Sequence, residues 1–143
     1  MMTTKKLITM LTFLCIVASN SVLAEANDER LFVNLTSDEI NRATMAIVFG
    51  TRVLTERNIP VTIHLTVEGT RIADKNIPDK TNANGDSLKE LLSQFMDRGG
   101  RVFVCGMCMK NIGGINEDEL IEGVQIEGGM SALFEPNSTV VSY

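Results

Sequence analysis

Arg101-Val102-Phe103-Val104-Cys105-Gly106-Met107-Cys108-Met109-Lys110-Asn111-Ile112-Gly113 is the stretch on which the fold of this chain turns. Its first five residues form a short apolar run behind Gly99-Gly100, the pattern of a buried strand, and the strand delivers Cys105 to the start of a helix. In parallel α/β sheets, ligands gather at the carboxyl ends of the strands, and a helix start offers unpaired N–H groups and partial positive charge. A thiol placed there can have its pKa lowered from about 8.5 toward about 3.5–7.5, which makes it a nucleophile near neutral pH. Cys105 is therefore the candidate catalytic thiol, with Cys108 one turn further in as its companion. Gly106 removes a side chain beside Cys105, lets the backbone turn tightly and lets a substrate approach, so it is the candidate substrate-binding position.

The segments on either side support a parallel sheet. Leu31 to Leu35 is a brief apolar run that stops at Thr36-Ser37-Asp38-Glu39, a buried strand feeding a helix capped by Thr36 or Ser37 and running from about Asp38 to Arg57. The middle of that helix, Met45 to Phe49, is apolar all round, which calls for a second apolar contact beyond one sheet and points to another subunit. Val61 to Val67 alternates with period two and reads as the second strand. Glu68 to Asp86 is a long polar connection with a short helix around Thr70 to Lys75. Ser87-Leu88-Lys89-Glu90 opens a helix whose Leu88, Leu91, Leu92, Phe95 and Met96 form one stripe, closed by Gly99-Gly100. Beyond Gly113-Gly114 follow an acidic helix at 116–121, a strand near Val124-Gln125-Ile126, a small helix near Met130 to Phe134 and a last strand at 139–143. Strands alternating with helices at this spacing make a parallel sheet covered on both faces, an α/β domain.

At the amino terminus, Lys5-Lys6 precede the apolar run Leu7 to Ala18, and Val22-Leu23-Ala24 supplies small residues for signal peptidase. The run is 12 residues long, short of the roughly 17–25 that a spanning helix needs. Residues 1–24 are thus read as a secretory signal peptide and 25–143 as one exported domain, with no stable membrane insertion. Cys15 lies inside the apolar run, which argues against a lipoprotein box. Across all 143 residues, 44% are hydrophobic, 22% are charged and the net charge is −5. That balance excludes a disordered or collagen-like chain, a disulfide-stapled miniprotein and a basic nucleic-acid binder.

The rival for the cysteine pair is a plain structural disulfide, although closing a four-residue loop yields only about 2 kcal/mol in the chain-entropy model. A zinc site is disfavoured because Cys105 and Cys108 give two ligands and only His64 adds a nitrogen, where structural zinc takes four; no metal or other cofactor is expected. Thioredoxin-like dithiol chemistry rests on the CxxC alone, without the usual aromatic-Cys-Gly-Pro-Cys context. His64 reads as a structural or interfacial residue, while Arg101 and Lys110 flank the cysteines, where they could favour thiolate or an anionic substrate, although solvated surface charge is the commoner fate of such residues. The sequons at Asn34 and Asn137 are taken as chance.

Asn34-Leu35-Thr36-Ser37-Asp38, Arg42-Ala43 through Ala46, Val61 through Gly69, Cys105 through Gly113 and Leu120-Ile121-Glu122-Gly123-Val124 together resemble the DsrE/DsrF-like family of sulfur-relay proteins over nearly the whole mature chain. The resemblance implies a compact three-layer domain with a mainly parallel, five-stranded sheet and assembly into trimers or hexamers. It also implies a cysteine that carries sulfur as a persulfide between partners, and Cys105, eight residues before Gly113, matches that cysteine. The expected activity is that of an exported, periplasmic sulfur carrier or sulfurtransferase. Cys105 takes sulfane sulfur from a donor protein or small compound and passes it to an acceptor thiol, and Cys108 can resolve the persulfide by closing a disulfide. The alternative is a noncatalytic homo-oligomeric periplasmic binding or assembly protein with a structural Cys105–Cys108 disulfide.

Overall fold

The computed structural model describes residues 28–143; the expected signal peptide lies outside the described residues. In chain order the elements are β1 (Arg30–Leu35), α1 (Ile40–Glu56), β2 (Val61–Leu65), a 3-10 helix (Val67–Ala73), α2 (Leu88–Asp97), β3 (Arg101–Val104), α3 (Gly106–Cys108) running into a π-helical turn (Met109–Gly113), a second 3-10 helix (Glu117–Glu119), α4 (Gly129–Leu133) and β4 (Ser138–Ser142). The strands lie in the order β3-β2-β1-β4 and all pair in parallel.

Period-two alternation sends Leu31, Val33, Leu35, Val61, Ile63, Leu65, Val102 and Val104 to one face of the sheet. There they pack with Ala43, Ala46 and Ile47 of α1 and Leu88, Leu92 and Phe95 of α2. Each fully buried Leu, Ile or Phe of this layer contributes about 1.5–3 kcal/mol relative to exposure. The opposite face presents Phe32 and Phe103 beneath Ala132 and Leu133 of α4. The domain is thus a three-layer α/β sandwich, thick on one side and thin on the other.

Several local expectations are corrected. Glu39 caps α1, accepting the backbone N–H groups of Asn41 and Arg42, because Thr36 and Ser37 are engaged elsewhere. The Thr36 hydroxyl donates to the carbonyl of Tyr143, and the Ser37 hydroxyl accepts the Glu39 N–H. The strand at 61–67 stops at Leu65, since Val67 adopts a positive φ of 51° and the chain folds into a 3-10 helix over the end of β1. Sheet pairing at 124–126 is reduced to one parallel bridge, Phe103 to Gln125, so the sheet has four strands where about five were expected. Gly123 and Gly128, both at positive φ, turn the chain away on either side of that bridge. In the apolar middle of α1, Ala46 and Ile47 are buried whereas Met45 and Phe49 are 57% and 38% exposed. Among the described residues no helix is long and apolar enough to cross a membrane.

Candidate functional site

The backbone N–H of Cys105 donates to the Leu65 carbonyl at 2.9 Å, extending the β2–β3 ladder one residue beyond β3 and fixing where the cysteine turn begins. Cys105 keeps an extended conformation (φ −66°, ψ 107°) as the cap of α3, which folds its sulfur back over the first turn. Its Sγ accepts the Cys108 N–H at 3.3 Å. After Cys108 the helix widens, and the Gly114 N–H reaches the Met109 carbonyl in a π-type turn.

Two close approaches hold this turn in place. Gly69, in the 3-10 helix after β2, lies so near the end of β1 that a Cβ there would sit 2.2 Å from the Leu35 carbonyl oxygen. At Gly113 an added Cβ would sit 2.7 Å from Cδ1 of the buried Ile115 and 3.2 Å from Oγ1 of the buried Thr70. The cysteine turn thus rests on the 3-10 helix, which rests on the end of β1. Both glycines belong to the sequence segments quoted above; Thr70 carried no signal that could have singled it out.

Both cysteines are free, half-buried thiols, tied together by the bond from the Cys108 N–H to Cys105 Sγ. The Cys105 pKa is raised: burial contributes most, the neighbouring Cys108 thiol comes next, and the N–H groups of Cys108 and Met107 only partly offset them. The expectation of a lowered Cys105 pKa is therefore corrected. Three residues of α-helix supply little aligned dipole, so desolvation outweighs the helix end.

An open cleft of about 600 Å³ begins at the same turn, bounded by Gly106, Lys110, Asn116, Glu117, Gln125 and Glu127. Gly106 forms part of its wall, and a Cβ there would meet Ile126 Cγ2 at 3.1 Å. The model of the DsrE/DsrF-like family matches residues 16–133, from within the expected signal peptide through α4. The chain belongs to the DsrE/DsrF-like family. Among solved structures it is similar to the ychN protein from E. coli, with a TM-score of 0.66, 12% identity, and coverage of 80% of this chain and 99% of that one. At that identity the likeness concerns the fold. No curated protein matches the chain.

The remaining candidates of this DsrE/DsrF-like domain are dispersed. Lys110 is exposed on the cleft beside Gly106. Arg101 sits at the opposite end of β3 from Cys105, about 13 Å away at strand rise. There its guanidinium grips Glu135 with two bonds of 2.9 and 3.0 Å and donates to the Thr62 hydroxyl, so it does not attend the cysteines. Glu135, which the sequence did not single out, also pairs with Arg30 at 3.2 Å. His64 packs edge-on against Phe32 with centroids 5.8 Å apart, under the backbone of Gly129, and burial lowers its pKa. Its position is that of a packed ring. Among the described residues no three His, Cys, Asp or Glu side chains gather to hold a metal ion.

Proposed function

We propose that this protein is a sulfur carrier of the sulfurtransferase type, which holds sulfane sulfur as a persulfide on Cys105 and passes it to a partner thiol. The observation that carries the reading is the position of Cys105. It lies at the carboxyl end of β3, one residue before Gly106, which lines an open cleft that neither cysteine lines itself, and its sulfur accepts a backbone N–H. Membership of a family generally engaged in sulfur relay supports it.

In loading, the Cys105 thiolate attacks the outer sulfur of a sulfane donor. A new S–S bond forms, the donor's own S–S bond breaks, and the electron pair leaves with the donor fragment. In unloading, an acceptor thiolate attacks the same outer sulfur and Cys105 departs as thiolate. The Cys108 N–H is placed to stabilise the charge that develops on the departing sulfur. The raised pKa of Cys105 disfavours its thiolate, and a donor held in the cleft that begins at the next residue, Gly106, offsets this by proximity. Donors and acceptors are partner proteins or small sulfane-sulfur compounds.

The carrier works after export to the periplasm and cleavage behind Ala24, as a homo-oligomeric trimer or hexamer. The apolar leader supports the first point, and the exposed Met45 and Phe49 support the second.

The test is intact-mass analysis of reduced protein after exposure to polysulfide. An adduct of about +32 Da, mapped to Cys105 and absent from Cys105→Ser, is the expected result. Loading of Cys105→Ser to the wild-type extent overturns the assignment.

A further inference from the structure

The cysteine turn holds a second thiol where a relay that only hands sulfur onward needs one. Cys108 donates its N–H to Cys105 Sγ at 3.3 Å, and both residues are half-buried free cysteines. The extended backbone of Cys105 folds its sulfur over the first turn toward Cys108, and residues three apart in such a turn can meet the Cα spacing of about 4.4–6.8 Å that a disulfide requires.

Resting on the reading of Cys105 as the loaded site, we infer that Cys108 discharges the Cys105 persulfide within the same chain, releasing sulfur as hydrosulfide and leaving a Cys105–Cys108 disulfide. The Cys108 thiolate attacks Sγ of Cys105, the inner sulfur of the persulfide. The Cys105–Cys108 S–S bond forms, the bond to the outer sulfur breaks, and the outer sulfur departs with the electron pair as HS⁻. Sulfane sulfur is reduced by two electrons, and the two cysteines are oxidised by the same two.

Two consequences follow from the balance. A sulfur that meets no acceptor has a bounded lifetime on Cys105, because its nearest nucleophile is already in place. Once the hydrosulfide has left, the closed disulfide offers a sulfane donor no thiol until an external dithiol supplies two electrons and two protons, so a dithiol–disulfide exchange reaction stands beside the carrier wherever the released sulfide is carried away. The acceptor thiol and Cys108 compete for one persulfide, and occupancy of the cleft by an acceptor decides between transfer and release.

The experiment follows one loaded population over time. Reduced wild type, Cys108→Ser and Cys108→Ala are loaded with polysulfide, desalted, and sampled for intact mass and for free sulfide. Wild type should pass from an adduct of about +32 Da to a species about 2 Da lighter than the reduced chain, with one sulfide released per adduct lost. Both variants should keep the adduct at least about tenfold longer. Discharged wild type, freed of sulfide by desalting, should keep both cysteines closed to iodoacetamide until dithiothreitol is added. Wild type that holds its sulfur as long as Cys108→Ser, or whose two cysteines alkylate after discharge without a reductant, overturns the inference and leaves the carrier reading intact. Failure of wild type and both variants to load overturns the carrier reading and this one with it.

Discussion

Replacing Gly113 by alanine tests how firmly the cysteine turn is seated. The new Cβ would lie 2.7 Å from Cδ1 and 2.9 Å from Cγ1 of Ile115, and 3.2 Å from Oγ1 of Thr70. Neither neighbour has room to retreat, since Ile115 is 1% exposed and Thr70 is fully buried. Inserting a methyl group into such a site costs about 1–3 kcal/mol. Gly113 sits in helical backbone with no positive φ, so alanine also gains roughly 0.4–1 kcal/mol from the restricted unfolded chain. The net expectation is a loss of about 1–2 kcal/mol in urea unfolding. Because the clash reaches across to the 3-10 helix, sulfur loading of Cys105 should slow as well. Ile115→Val deletes the atom at 2.7 Å, so the double variant should recover part of the loss, with a favourable coupling of about 0.5–1 kcal/mol. A Gly113→Ala protein as stable as wild type, or a double variant whose losses simply add, would refute the described packing of the turn.

The raised pKa of Cys105, caused first by burial and then by the Cys108 thiol, makes its alkylation climb with pH beyond the ordinary thiol range, and Cys108→Ala should shift that profile downward, as iodoacetamide kinetics will show. Glu135→Gln removes the paired carboxylate held by Arg101 and Arg30 and should cost about 1 kcal/mol at pH 7, a figure discounted for partial exposure. The Glu135 pKa is lowered from 4.5, chiefly by the Arg101 hydrogen bonds, so its stabilisation is present above 4.5 and disappears as pH falls through the folded-state value. The stability gap between wild type and Glu135→Gln should close in the same acid range; a constant gap contradicts the assignment. Charging the exposed apolar pair, by Met45→Lys with Phe49→Lys, should lower the mass measured by light scattering while changing protomer stability by at most about 0.5 kcal/mol. A wild type that is monomeric at micromolar concentration removes the basis for that prediction.

The α/β class, the parallel pairing and the placement of Cys105 at a strand end were legible because they rest on local periodicity. Leu31 to Leu35 and Val61 to Leu65 alternate toward a buried face, the Leu88–Leu92–Phe95 stripe marks one helix side, and Gly99-Gly100 ends it. Those signals are carried by residues within a few positions of one another, so the sequence by itself determines them. What it did not determine depends on groups brought together from afar. The Thr36 hydroxyl was drawn to Tyr143 and left Glu39 to cap α1; Arg101 was drawn to Glu135 and away from the cysteines; the strand at 124–126 shrank to one bridge between two glycine turns. The same holds at the centre of the site. Spacing placed two thiols one helical turn apart, but their burial and the influence of one thiol on the other exist only in the folded molecule. Those two effects raise the Cys105 pKa where a helix start alone would have lowered it, because desolvation acts through everything packed around the sulfur and the dipole of three residues is small.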